Sequence, residues 1–109
     1  MRKLKEVCEV VGITRRQLQG YESAGLIKYS SKNKMGHLLY DDEMFARICL
    51  IHEYKQIGFT LSEIKEIIDS SDIEKEDTMK NKLKELINER REINKRIEKL
   101  KGFIGGGNK

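Results

Sequence analysis

A chain of 109 residues sets one domain, with an appended element, as the expectation and leaves no room for a multi-domain enzyme carrying its own cofactor fold. Charged residues make up 37% and the hydrophobic set 38%, with 6% aromatic and no tryptophan. That apolar reserve is small, and no stretch nears the ~18 apolar residues of a membrane span. Net charge is +4, unevenly spread: residues 1–40 hold eight basic against three acidic residues, residues 41–70 three against seven, and residues 71–109 eleven against eight. A basic first third beside an acidic middle suits a surface that faces phosphate. The opening MRKLKEVCEV has no unbroken apolar run, so no signal peptide is expected and the cytoplasm is the default. Cys8 and Cys49 lie far apart and imply no disulfide framework.

In chain order, Leu4, Val7, Cys8 and Val11 recur at i, i+3, i+4 and i+7, one face of a short helix over 3–11. Gly12 turns the chain. Thr14-Arg-Arg-Gln17 is a capping box, so a second helix starts near Thr14 and runs to about Ser23, closed by Gly25. Two short helices joined by a tight turn make a helix-turn-helix. Leu26–Tyr29 and His37–Tyr40 are short β-prone runs separated by the turn-rich SSKNKMG, which predicts a hairpin wing with Lys32 and Lys34 at a basic tip.

Asp41 and Asp42 suit the start of a third helix, whose Phe45, Ile48, Cys49, Ile51 and His52 form one broad face before Gly58 stops it. Thr60-Leu-Ser-Glu63 is a second capping box, opening a fourth helix with Leu61, Ile64, Ile67 and Ile68. Ser70-Ser71-Asp72 is a break. From about Lys75 a strict 4-3 repeat runs through Met79, Leu83, Leu86, Arg90, Ile93, Ile97, Leu100 and Ile104, a coiled-coil seam. A helix of about 28 residues would be roughly 42 Å long at ~1.5 Å per residue. Its apolar stripe has too little chain around it to be covered, so it calls for a partner. The expected organisation is a winged helix-turn-helix with helix pair over 1–70, a dimerisation helix over 74–104 and a flexible tail over 105–109. The fold class is mostly α with a small β-hairpin.

The stretches LKEVCEVVGITRRQLQGYESAGLI, MGHLLYDDEMFARI and YKQIGFTLSEIKEII, in this order, resemble the MerR family of bacterial transcription regulators over roughly residues 3–104. The resemblance implies that the helix opening at Thr14 enters the major groove while the wing straddles the neighbouring backbone. Thr14, Arg16, Leu18, Tyr21, Glu22, Gly25 and Leu26 stand where the family motif expects them. Arg16 and Tyr21 are then DNA contacts, with Arg15 and Gln17 free to address bases or phosphates and Leu18 and Leu26 in the core. Gly36 and Tyr40 match the wing's glycine and tyrosine. The chain departs from the pattern at Gln19-Gly20, where the family usually has Arg-Tyr, at Leu38 in place of an arginine, and at His37, an aromatic position. Each neutralised phosphate contributes about −0.9 to the slope of log affinity against log salt. Two missing cations therefore predict a shallower slope, or compensation by Arg15, Lys28, Lys32 and Lys34. The candidate DNA-binding set is Thr14, Arg15, Arg16, Gln17, Gln19, Tyr21, Lys28, Lys32, Lys34, His37 and Tyr40.

The resemblance further implies an antiparallel homodimer through the long helix, bound to a pseudo-palindromic promoter site whose DNA it deforms, with RNA polymerase as a possible partner there. Antiparallel pairing of the seam would layer Met79 on Ile104, Leu83 on Leu100, Leu86 on Ile97 and Arg90 on Ile93 across the two copies, leaving Arg90 as the one polar seam residue. No cofactor or metal is expected. Only FIGGGNK follows the seam, with no cysteine or histidine beyond His52, so a metal-sensing loop and an effector domain are not expected. Cys49, His52 and Glu53 supply too few ligands for zinc, and Cys8 and Cys49 read as core. No nucleophile–base set or phosphate loop points to an enzyme. Two alternatives remain: an architectural, excisionase-like DNA binder, and a coiled-coil module that pairs with another regulator.

Overall fold

The computed structural model describes residues 1–105, and within them four of the five helices start on a side chain that caps them. Thr14 and Thr60 each accept the amide of the residue three positions on, while Gln17 and Glu63 reach back to the cap amides. Asp41 accepts from the Met44 amide, and Ser71 from that of Glu74. Each such cap contributes about 1 kcal/mol by satisfying amides that have no partner inside the helix.

The chain divides into two compact units, Met1–Ser70 and a second beginning at Ser71. In the first unit the elements are β1 (Arg2–Lys3), α1 (Leu4–Val11), α2 (Arg15–Ser23), β2 (Ser31–Lys32), β3 (Leu38–Tyr40), α3 (Asp42–Ile57) and α4 (Leu61–Ile67). Val7, Leu18, Tyr40, Ile48, Ile51 and Ile64 are wholly enclosed, with Tyr21, Leu26, Ile27, Phe59, Ile67 and Ile68 around them. No polar or charged residue is buried among the described residues. The core is held by apolar contact, and polar interactions act at its edges.

The wing differs from its expected form. Its strands are Ser31–Lys32 and Leu38–Tyr40, paired Ser31 to Leu39 and Lys32 to Leu38, and not Leu26–Tyr29 with His37–Tyr40. Leu26 and Ile27 are drawn into the core instead, and the Leu26 carbonyl accepts from Arg47 Nε at 2.6 Å. Lys32 therefore lies in a strand, while Lys34 remains at the tip. A third strand, β1, pairs with β3 so that the sheet order is β1-β3-β2. Two residues carry no periodicity by which to foresee it. It is anchored by Arg2, which pairs with Asp42 at 2.9 Å and lies over the Phe45 ring at 4.0 Å.

In α3 the buried residues are Ile48, Ile51 and Tyr54. Phe45, Cys49 and His52, expected on that face, are half-buried. Tyr54 meets Phe59 edge-to-face at 6.0 Å, closing the α3–α4 corner. The second unit is α5 (Asp72–Ile104), which starts three residues before the expected Lys75 because Ser71 caps it. None of its residues is buried. Leu83, Leu86, Ile93, Ile97, Leu100 and Ile104 of the seam are exposed, and so is Ile87, which lies outside the 4-3 repeat. Gly105 caps the helix, its amide donating to the Lys101 carbonyl; the rest of the expected tail, residues 106–109, lies outside the described residues.

Candidate nucleic-acid interface

The site begins with the chain path into α2. Gly12, with φ of 82°, ends α1, and Ile13 is buried beneath the turn, so Thr14 emerges at the start of α2. The reciprocal bonds of Thr14 and Gln17, 3.0 and 2.8 Å, fix the first turn of α2. Those bonds occupy the Thr14 hydroxyl oxygen and the Gln17 amide oxygen as acceptors and leave the Thr14 hydroxyl proton and the Gln17 side-chain NH2 as donors. Arg15, Arg16 and Gln19 stand exposed on the same helix, and neither arginine forms an ion pair among the described residues.

Tyr21 and Tyr40 are 3% and 1% exposed. Burial pushes both phenols above the ordinary tyrosine range, and for Tyr40 the carboxylate of Glu22 and the Cys8 thiol add to it. Both rings belong to the core, so contact with a ligand is restricted to the hydroxyl ends.

The end of α2 is tied down by groups far away in sequence. Arg47 of α3 donates from Nη1 and Nη2 to both carboxylate oxygens of Asp69 at 2.9 Å, besides its bond to the Leu26 carbonyl. The Asp69 hydrogen bonds raise the Arg47 pKa further, against the opposing effect of burial. Gly25, with φ of 78°, occupies the left-handed region, and a Cβ there would come within 2.9 Å of Lys65 Nζ. Only glycine suits that turn.

In the wing, Asn33 Oδ1 accepts from the amides of Met35 and His37 at 2.9 and 3.0 Å, and Gly36 takes φ of 81°. This pins the tip and holds Lys34, Met35 and His37 in solvent. Lys32 lies over the Tyr29 ring at 5.5 Å, and Lys28 is exposed on the connection. Arg15 and His37 line one groove, so the first turn of α2 and the end of the wing are neighbours. Gln17 and Gly20 line a second cleft with His52, Lys55 and Gln56 of α3. Sequence reasoning did not bring those α3 residues to α2; the one signal was Lys55 in the last turn of its helix, which a favourable helix dipole already explains. Among the described residues no group of three His, Cys, Asp or Glu side chains is placed to hold a metal, and no helix is long and apolar enough to cross a membrane.

Two short helices across a tight turn, followed by a pinned wing, define a winged helix-turn-helix protein. Residues 2–71 match the family described as "MerR HTH family regulatory protein", and residues 45–103 match "MerR, DNA binding". The chain belongs to the MerR family. It is 28% identical over 90% of its length to the HTH-type transcriptional activator mta of Bacillus subtilis, and 33% identical over 63% to the nodulation protein NolA of Bradyrhizobium elkanii. It spans 38% and 32% of the lengths of those two curated relatives. In three dimensions it is similar to the N-terminal part of MtaN, the Bacillus subtilis multidrug transporter activator, with a TM-score of 0.80 at 27% identity, covering 92% of this chain and 94% of that one.

Proposed function

We propose that this protein is a sequence-specific, DNA-binding transcription regulator that works as a homodimer. The observation that carries the reading is the exposed, unpaired pair Arg15 and Arg16 on the first turn of α2, in one unit with a pinned wing bearing Lys32, Lys34 and His37. A rigid helix start suits base-edge and phosphate contacts in the major groove, and the wing adds cations along the backbone. The match of residues 45–103 to "MerR, DNA binding" supports it.

Dimerisation rests on α5. At ~1.5 Å per residue its 33 residues extend roughly 50 Å. Its seam is exposed from Leu83 to Ile104, and an antiparallel copy would cover it in the register that sets Arg90 against Ile93. The same register brings Glu89 of one helix beside Arg96 of the other, and Lys80 beside Lys101, so flanking charge alone does not fix it. Two winged units so joined read a pseudo-palindromic site and deform the DNA between its halves, and on a promoter this changes what RNA polymerase meets. The place of action is the nucleoid in the cytoplasm, and the role needs no catalysis.

The test is an anisotropy titration of duplex DNA at several salt concentrations. Arg15→Gln and Arg16→Gln should each weaken binding and reduce the salt slope by about 0.9 for each phosphate no longer neutralised. Unchanged affinity and slope in both variants would overturn the placement of the interface on α2.

A further inference from the structure

The groove shared by α1, the start of α2 and the end of the wing has features that DNA contact does not require. It is an open groove of about 590 Å³, within the usual range for small-molecule sites of roughly 300–1,000 Å³. Leu4, Cys8 and Leu38 give it apolar walls, extended by the carbon stems of the charged residues beside them. Lys3, Lys5 and Arg15 stand around them, and none of the three forms an ion pair among the described residues. Glu9 is the one acidic residue in that lining. A cleft with apolar walls and cations along its rim suits a ligand that is apolar along its length and anionic at one end. Leu38, where the family pattern has an arginine, contributes apolar wall to this groove.

We propose that the groove between α1, α2 and the wing binds an amphipathic monocarboxylate, its chain against Leu4, Cys8 and Leu38 and its carboxylate between Arg15 and the lysines Lys3 and Lys5. The ligand would touch α2 and the wing at once, the two elements whose spacing DNA binding depends on. That consequence rests on the DNA-binding reading, whereas the binding itself does not.

Cys8 reports occupancy directly. Its thiol is half-buried in the groove, while Cys49 lies on α3 outside it and serves as an internal control. The 109-residue chain, without DNA, is treated with N-ethylmaleimide in the presence of decanoate below its micelle concentration, and modification at each cysteine is followed by peptide mass spectrometry. At nine-tenths occupancy the rate at Cys8 should fall about tenfold, with Cys49 unchanged. Arg15→Gln should raise the decanoate concentration for half-protection about tenfold, the loss of one charge-assisted hydrogen bond. Acetate, which lacks the chain, and decyltrimethylammonium, which reverses the charge, should give no protection at the same concentrations. Protection by either control equal to that by decanoate would overturn the proposal. So would equal slowing at Cys49, which marks a general detergent effect, or an unprotected Cys8. DNA binding is measured separately, so failure of the ligand site and failure of the regulator reading remain distinguishable.

Discussion

Gly20 stands inside α2 without the positive φ that would call for glycine, and a Cβ built on it meets no atom within 4 Å. Glycine inside a helix costs about 0.8–1.0 kcal/mol relative to alanine, through the extra freedom of the unfolded chain. Nothing in the fold offsets that cost, so Gly20→Ala should stabilise the first unit by about 0.8–1 kcal/mol. For a domain of this size that is about 4–8 °C in Tm. With a urea dependence of about 1–2 kcal/mol per molar, it is also about 0.5–1 M in the midpoint. The assay is urea unfolding followed by circular dichroism, at one fixed protein concentration because self-association shifts the apparent stability. A variant no more stable than the parent, or less stable, would show that a methyl group meets something the geometry leaves out and would refute the reasoning. The same variant bears on the interface: if the cleft beside Gly20 admits a DNA backbone closely, the stabilised protein should bind DNA more weakly.

Four further outcomes follow from the structure. Arg47→Met removes the paired bonds to Asp69 and the bond to the Leu26 carbonyl; as Asp69 is largely exposed the loss is discounted to about 1–2 kcal/mol, read as a lower urea midpoint. Burial raises the folded pKa values of Cys8, Tyr21 and Tyr40, so the folded state holds more protons than the unfolded one at alkaline pH. Their contribution is full below the unfolded values and is lost as pH rises through the folded ones, so stability should decline above about pH 9 and more steeply past about 10, with Tyr40→Phe flattening the second part of the curve. In α5, Ile93→Asp would place a carboxylate in the proposed seam and should raise the dimer dissociation constant at least ~100-fold by sedimentation equilibrium. Arg90→Leu should instead tighten the dimer while loosening its register, and an unchanged register would show Arg90 reaching solvent with no part in alignment.

Local signals were the legible ones. Both threonine capping boxes could be read because partners three residues apart make their bonds within one turn, and the same holds for Asp41 before α3 and the glycines after α1 and α3. What escaped the sequence depends on contacts between distant residues. Leu26–Tyr29 is the better strand by propensity, yet Arg47, 21 residues on, and the core draw Leu26 and Ile27 inward and leave Ser31–Lys32 to pair with β3. Arg47 and Asp69, 22 residues apart, carry no pattern that links them. In the candidate interface the exposed Arg15, Arg16, Gln19, Lys28, Lys34 and His37 are where their chemistry suggested. Tyr21 and Tyr40 carry their rings in the core, a placement that residue type alone left open because a tyrosine's ring and hydroxyl favour different environments.

The proposed regulator reads DNA sequence as a two-fold dimer. Selection of bound sequences from random duplex DNA by the purified protein at moderate salt tests it most directly. A two-fold dimer should enrich an inverted repeat with half-sites about one or two helical turns apart. Sequence-independent, salt-sensitive binding would contradict it in favour of an architectural role, and no binding at all would remove DNA as the partner.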